Sequence, residues 1–194
     1  MKRIASRLIA IVLLAVPAAL AGAQAGATNT APESFRANGQ ITGAAGGAAS
    51  EMVFKIDKYS ADAEHNALVK ALKDGGNAAF LEALKKAPKV GALTINKRTI
   101  DIRWARSRPE GTDHRRIAFV TDKPVFFAGA GAADAKPTAG YDLAVVEFTI
   151  DSVGLGSGTM APAAKVKPGG PTGVEIDDYS GKRITLTTVT RVMK

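Results

Sequence analysis

The sequence predicts an α+β domain that is mostly antiparallel β, with about 8–10 strands in a barrel or curved sandwich and one inserted α-helical hairpin. Apolar and polar residues alternate along most of the chain with the period of two that is typical of strands. Short clusters rich in Gly, Pro, Asn and Asp separate these runs, as turns do between antiparallel strands. After the N-terminus only residues 60–88 have a helical pattern, whereas a doubly wound parallel sheet would need a helix after nearly every strand.

Residues 1–23 have the three parts of a secretory signal peptide. Basic residues lie close to the start, residues 8–20 form an apolar core, and Ala21-Gly22-Ala23 provides the small-residue cleavage pattern. The core is too short to be a good transmembrane span, and no later run approaches the ~20 apolar residues that a span needs. We therefore predict an exported protein, periplasmic or secreted, with no transmembrane span in its mature form.

The chain contains no cysteine, which excludes a lipoprotein anchor, disulfides, thiolate nucleophiles and cysteine-ligated zinc. Residues 24–33 are small, polar and unpatterned and predict a disordered leader, and residues 34–194 are predicted to form a single β-rich domain. Loss of Lys2, Arg3 and Arg7 with the signal peptide lowers the formal net charge from +8 to +5. A mildly basic exported domain is suited to anionic envelope polymers or membrane surfaces. Nucleic acid is not an expected partner, because the chain has no long basic run.

Residues 60–88 predict two short helices that form a hairpin. Ser60 and Asn77 are placed to cap their N-termini. Gly75-Gly76 should end the first helix and Pro88 the second. Because two short helices with one apolar stripe each are not stable alone, they are expected to pack on the sheet. The stripe residues are Leu68, Val69 and Leu72 in the first helix and Phe80, Leu81 and Leu84 in the second.

The remaining chain is predicted to form strands joined by turns. Residues 141–150 are apolar on both faces, so we expect the hairpin to dock there. The last two segments are expected to pair with each other around Ser180-Gly181, and a slip in their alternation predicts a β-bulge near Thr187-Thr188. Residues 128–140 predict a long loop. The predicted strands are residues 34–41, 52–57, 90–95, 99–106, 115–121, 125–127, 141–150, 155–166, 174–179 and 183–192.

No motif predicts a catalytic residue, a metal site or a cofactor. Residues 154–158 (GLGSG) lack the following helix that a phosphate-binding loop requires, and their glycines are expected to make room for a bulky neighbour such as Trp104. His65 has no partner at helical spacing and is predicted to be solvent-exposed, and His114 is expected in a turn. Two acidic residues could act together in glycoside hydrolysis only if their carboxyl groups lie at a defined distance, and the sequence alone does not give that distance. The acidic residues considered are Asp57, Asp101, Glu147, Asp177 and Asp178.

The most unusual feature is a cluster of arginines around Trp104. If residues 99–106 and 115–121 are neighbouring antiparallel strands, several guanidinium groups gather near one end of the sheet, where forked hydrogen bonds could bind a carboxylate, phosphate or sulfated glycan. The alternative is that the arginines cover sheet edges and pair with Asp101 and Asp113, while Trp104 lies in the core. Within a cluster that also contains Arg98, Arg108 and Arg116, the predicted ligand-binding residues are Arg103, Arg106, Arg115 and Trp104.

Six short runs are distinctive when taken together, and they are residues 80–84 (FLEAL), 88–91 (PKVG), 101–103 (DIR), 121–124 (TDKP), 156–160 (GSGTM) and 184–192 (ITLTTVTRV). As a set they resemble a group of small exported bacterial proteins of unassigned function. The resemblance covers most of the mature chain and implies a shared fold and export. It implies no catalytic or binding residue.

These observations lead us to expect an exported, non-enzymatic, β-rich binding or envelope-associated protein. Its ligand would be a small apolar molecule inside the curved sheet, an anionic molecule held by the arginines, or an envelope polymer. The alternatives are an extracytoplasmic hydrolase that uses carboxylate chemistry and a purely structural envelope protein.

Overall fold

The computed structural model describes residues 31–41, 50–126 and 138–192. The predicted signal peptide, residues 24–30 of the predicted leader and most of the predicted loop at 128–140 lie outside the described residues. The described elements are β1 (Glu33–Ile41), β2 (Ser50–Ile56), α1 (Asp62–Lys86), β3 (Gly91–Ile95), β4 (Arg98–Glu110), β5 (His114–Thr121), β6 (Leu143–Asp151), β7 (Leu155–Pro168), β8 (Val174–Tyr179) and β9 (Ile184–Val192).

Eight of these strands form a closed barrel. Neighbours follow the order β6-β5-β4-β3-β2-β1-β9-β7, and β7 also pairs with β6, which closes the cylinder. Every one of these pairings is antiparallel. The predicted antiparallel β-rich architecture is therefore confirmed, and of its two forms the barrel is the one observed. Closure removes free edges from these eight strands.

The last two strands do not pair with each other, which corrects the sequence prediction. β8 pairs with the second half of β7, and β9 pairs with its first half, both antiparallel. The two last strands therefore lie one after the other along β7. At the interruption between them, the Ser180 N–H donates to the Ala163 carbonyl at 2.8 Å. β7 is 14 residues long and can therefore serve both strands. The predicted bulge is confirmed: Thr188 has a φ of 52°, and the register of β9 shifts on both of its neighbours.

Side chains of the protein itself fill the barrel interior. The Phe54 ring lies 5.1 Å from the Phe119 ring and 5.8 Å from the Phe148 ring, measured between centroids, and Phe35 lies 5.0 Å from Phe148. Each of these four side chains is fully or almost fully buried. An eight-stranded barrel is just wide enough for such filling. The centre of the barrel is therefore a packed core, and the ends are where a ligand could enter.

The glycines of residues 154–158 permit close packing between β6 and β7. A Cβ atom at Gly158 would lie 2.4 Å from the Phe148 Cβ, and one at Gly156 would lie 1.8 Å from the Thr149 carbonyl oxygen. Neither separation is possible, so both positions require glycine. The bulky neighbour is Phe148 in the barrel and not Trp104, as the sequence had suggested.

Residues 125–126 were predicted as part of a strand and are not one. Pro124 has no N–H and cannot continue a strand ladder. The Val125 N–H donates to the Pro162 carbonyl at 2.8 Å, and its side chain is buried in the barrel core. The Phe126 carbonyl accepts a hydrogen bond from Arg98 at 3.2 Å. The segment therefore covers the barrel end opposite to the start of β1.

α1 is one element in which two helical segments, residues 62–75 and 77–86, meet at Gly76, and the predicted hairpin is not shown. Gly75 remains within the helix, and only Gly76 departs from helical geometry, with φ 66° and ψ −157°. A single glycine at positive φ interrupts the helix without any intervening loop. Asn77 does not cap a second helix. Its side-chain amide donates to the Val166 carbonyl at 2.9 Å and accepts from the Val166 N–H at 2.7 Å.

Both ends of α1 are attached to β4. Ala61, and not the predicted Ser60, is the N-cap residue. The Ser60 hydroxyl instead accepts a hydrogen bond from the Ala105 N–H at 3.2 Å. At the other end, Arg103 donates to the Ala87 carbonyl at 3.2 Å. These contacts fix the helix against one side of the barrel.

The apolar side of α1 forms a second core on the outer face of the barrel. The predicted docking surface on residues 141–150 takes part through Leu143 and Val145, but β4, β5 and β7 contribute as well. No helix among the described residues combines the length and apolarity needed to cross a membrane. The buried members of this second core are Leu68, Leu72, Phe80 and Leu84 of α1, with Trp104, Ala118, Val120, Leu143, Val145, Ala161, Ala164, Val166 and Val174.

Candidate functional site

One end of the barrel holds a cavity of about 300 Å³, which we call the mouth cavity. The β4–β5 turn at residues 111–113 and the β6–β7 turn at residues 152–154 contribute to its wall, together with the end of β9. The mouth of a barrel is a common place for a ligand. The charged and titratable residues that line it are Asp113, His114, Arg115, Asp151 and Arg191.

A buried carboxylate lies beneath the mouth cavity. The Glu33 side chain is only 1% exposed and accepts hydrogen bonds from both terminal nitrogens of Arg115, with Nη1 to Oε1 at 2.9 Å. The Tyr59 hydroxyl donates to the same Oε1, and the Nε of Arg191 lies 3.3 Å from Oε2. A buried charge must be paired in this way to be tolerated. Glu33 therefore fixes the positions of two guanidinium groups at the floor of the cavity.

The protonation states of this group follow from its surroundings. Burial, reinforced by the charge and hydrogen bond of Glu33, raises the pKa of Tyr59 well above its usual range, so the phenol keeps its proton and donates it to the carboxylate. Burial by itself would lower the pKa of Arg115, but the hydrogen bonds and charges of Glu33 and Tyr59 together outweigh it, and the net pKa is raised. Arg115 is therefore a permanent cation at the floor.

Arg191 is the floor residue whose terminal nitrogens are available to a ligand. Its Nε faces Glu33, while its terminal nitrogens have no hydrogen-bond partner within the described residues. The side chain is 38% exposed. Since two guanidinium groups share one buried carboxylate, one positive charge is left at the floor. A guanidinium in this position can form a forked pair of hydrogen bonds with an incoming carboxylate or phosphate.

The rim of the mouth cavity carries hydrogen-bond acceptors. The Asp151 Oδ1 accepts from the Val153 N–H at 3.0 Å and from the Leu155 N–H at 2.9 Å, which shapes the β6–β7 turn. Asp113 stands exposed in the opposite turn. His114 and Asp151 are direct cross-strand partners at the ends of β5 and β6. A ligand in the cavity therefore meets cationic donors at the floor and acceptors at the rim.

The four residues predicted to bind a ligand do not converge on one cavity. The strands that carry them are antiparallel neighbours, as expected, but only Arg115 lines the mouth cavity. Arg103 pairs with Asp122 at 3.0 Å, and Arg106 pairs with Asp62 at 2.8 Å. Trp104 is buried against α1 on the outer face. Arg191 and Glu33, which complete the floor, were not considered from the sequence.

His65 is buried, which corrects the prediction of a solvent-exposed histidine. Its Nδ1 accepts a hydrogen bond from the Trp104 Nε1–H at 3.3 Å, and the two rings are stacked with centroids 5.8 Å apart. A Cβ atom at Gly173 would lie 2.6 Å from the His65 ring, so the β7–β8 turn packs directly on it. The spacing of His65, Leu68 and Leu72 on one helix face is the signal that could have indicated burial.

The surroundings of His65 favour its neutral form. Burial lowers its pKa, and the nearby positive charges of Arg106 and Arg108 lower it further, against a smaller opposing effect of Asp62. A neutral ring is also required for Nδ1 to accept the Trp104 hydrogen bond. Protonation of His65 therefore removes a contact between α1 and the barrel.

We expect the domain to lose stability as the pH falls below about 6.5, the ordinary pKa of histidine. Because the pKa of His65 is lower in the folded state, the unfolded chain takes up the proton first. The contribution is fully present above about pH 6.5 and is lost as the pH falls towards the folded-state pKa, with a slope of at most about 1.4 kcal/mol per pH unit. Urea denaturation at a series of pH values measures this slope.

The control for this pH dependence is a variant of His65 itself. His65→Phe keeps the ring stacking without titration and should flatten the profile near pH ~6. A His65→Phe profile identical to that of the unmodified protein would assign the pH dependence to other groups.

Comparison of the chain with protein-family models, with curated proteins and with solved structures found no match.

Proposed function

We propose that the mature chain is an exported, non-enzymatic binding protein whose mouth cavity binds a small ligand through an anionic group, a carboxylate or a phosphate. The observation that carries this proposal is the arrangement of the floor. Arg191 and Arg115 are held by one buried carboxylate, and the terminal nitrogens of Arg191 have no partner among the described residues. Such a guanidinium is held in place before the ligand arrives, which reduces the entropic cost of binding.

The rim narrows the ligand class further. Asp113 and Asp151 stand at the cavity edge, so a ligand that fits has hydroxyl or amino donors as well as its anionic group. Ile150 and Pro109 supply an apolar wall of limited size. A sugar acid, or the anionic sugar unit of an envelope polymer, has this combination of groups. The predicted signal peptide would place the domain in the compartment where such polymers occur.

The hydrogen bonds of Asp151 favour a binding role for the cavity over carboxylate-dependent hydrolysis. Asp113 and Asp151 line the same cavity, as a hydrolase would need. However, one oxygen of Asp151 already accepts two backbone hydrogen bonds from its own turn. These bonds hold the carboxylate in the turn and occupy one of its two oxygens. Asp151 therefore has a structural role, which is to fix the conformation of the turn at the rim.

Arg191→Gln is expected to weaken binding of glucuronate by about tenfold or more, because a charge-assisted pair of hydrogen bonds is lost. Glucose is the matched probe without the carboxylate, and we expect it to bind weakly to both proteins. Isothermal titration calorimetry with the mature chain measures both affinities. Arg36→Gln is the control variant, because Arg36 forms an exposed ion pair with Glu51 away from the cavity. Equal glucuronate affinity in Arg191→Gln and the unmodified protein would contradict the proposal.

A further inference from the structure

A second cavity, of about 190 Å³, lies on the outer face of the barrel. We call it the outer cleft. It is enclosed between strands β4, β5 and β6 on one side and the start of β8 with the preceding turn on the other. It shares no lining residue with the mouth cavity. Arg115 and Arg116 illustrate the separation, because these consecutive residues of β5 point to opposite faces and line different cavities.

The floor of the outer cleft is apolar. It is formed by Trp104, Ala118, Val120 and Val145, all of which are buried. The hydrogen bond and stacking contact with His65 hold the Trp104 ring in place. Apolar cavities of ~150 Å³ are large enough to bind a benzene-sized molecule. The outer cleft therefore has room for one ring against a preformed floor.

The charged residues of the outer cleft have an excess of negative charge. Arg116 is the one cation in its lining, and it donates to Glu147 at 3.0 Å and also pairs with Glu110. Glu175 lines the cleft as well, and no ion pair involves it among the described residues. Arg108 is the cross-strand neighbour of Arg116 and lies outside the lining. Lys167, the cross-strand partner of Glu175, also lies outside the lining and pairs with Asp177 at 3.8 Å. The lining itself therefore holds two carboxylates, Glu147 and Glu175, and one guanidinium, and its net charge is negative.

We propose that the outer cleft binds a small organic cation, an ammonium group attached to a single aromatic or apolar ring. The ring lies on the floor that includes Trp104, and the ammonium group lies at the rim between Glu175 and Glu147. Apolar contact supplies the affinity and the carboxylates select the charge. An anionic analogue would meet Glu175 and Glu147 and is rejected. The cleft therefore differs from the mouth cavity in the sign of the ligand that it takes.

Benzylamine is the probe that tests this proposal, and Trp104 is the reporter. Because Trp104 is the chain's one tryptophan, intrinsic fluorescence reports on the cleft directly. We expect benzylamine to change the fluorescence of the mature chain saturably, with benzyl alcohol binding about fivefold more weakly and benzoate more weakly still. Equal binding of the three probes would overturn the assignment of charge, and no saturable change with benzylamine would overturn the site.

Two variants separate the cleft from general effects on folding. Glu175→Gln should weaken benzylamine about fivefold and leave benzyl alcohol unchanged. Glu51→Gln makes the same change at an exposed position away from the cleft, and should change neither. Unaltered benzylamine affinity in Glu175→Gln would overturn the proposal. Circular dichroism establishes that both variants are folded, and the exposed positions of both residues favour this.

Discussion

Replacement of Glu33 by Gln is expected to lower the free energy of unfolding by about 3 kcal/mol or more. The substitution keeps the size of the side chain and removes its charge. It leaves Arg115, which is largely buried, and Arg191 without a carboxylate, and the cost of an uncompensated buried cation exceeds that of the lost hydrogen bonds. Chemical denaturation of the variant and the unmodified protein, followed by far-UV circular dichroism, measures the difference.

Glu51→Gln is the control for this measurement. Glu51 forms an ion pair with Arg36 in which both side chains are more than half exposed. Exposed pairs contribute about 0–1 kcal/mol, so we expect a change below about 1 kcal/mol. If Glu33→Gln were as stable as Glu51→Gln, the buried carboxylate would not be what organises the barrel mouth, and the preformed arginine floor would lose its basis.

Replacement of Phe80 by Ala is expected to destabilise the domain by about 3–5 kcal/mol. Phe80 is fully buried in α1 and belongs to the second core, on the outer face of the barrel. Because α1 packs on β7 and β4 and shares one core with side chains of β5 and β6, the substitution should destabilise the barrel as well as the helix. We therefore expect a single unfolding transition at a lower denaturant concentration.

Two probes make this expectation testable. Trp104 fluorescence reports on the contact between α1 and the barrel, and far-UV circular dichroism reports on the whole domain. Leu81→Ala is the control, since Leu81 is only half-buried and should cost about 1 kcal/mol. Two separate transitions in Phe80→Ala, with the barrel transition unshifted, would show that α1 is an addition to an independently stable barrel.

Strand alternation was sufficient to predict the fold class and most strand positions. The pattern of one buried face is strong in segments such as β2 and β3, where a one-residue slip would expose the core. The β9 bulge was also predictable from the sequence, because a bulge reverses the alternation at one point. The pairing partners of the strands could not be predicted. β8 and β9 are joined by a short turn-like segment, yet both pair with β7, because pairing depends on a strand that is distant in sequence.

The candidate site was harder to predict because its parts are distant along the chain. Glu33 and Arg115 are separated by 82 positions, and Glu33 fell within the predicted leader. Its alternation with Phe35 and Ala37, which share the inward face of β1, was the available signal. An inward-facing carboxylate at the start of a strand also requires a cation at the neighbouring strand ends. Arg191 lies near the end of the chain, and its place in the floor follows only from the position of β9 in the closed barrel.

Arginine clustering in the sequence was misleading in a specific way. Consecutive residues of a strand point to opposite faces, so Arg115 and Arg116 serve different cavities although they are adjacent. Arg103 and Arg106 face carboxylates and carbonyls near the ends of α1 and help to hold it in place. Counting cations within a segment therefore overstated the charge available at any one site.

The measurement that tests the central claim most directly is a titration of the isotopically labelled mature chain with glucuronate, followed by nuclear magnetic resonance. We expect saturable shifts at the Arg191 side chain, at His114 and in the β6–β7 turn, with no shift of the Trp104 Nε1–H signal in the outer cleft. Glucose should produce much smaller shifts at the same positions. The absence of shifts around Arg191, or larger shifts at Trp104 than at Arg191, would contradict the assignment of the barrel mouth as the anion-binding site.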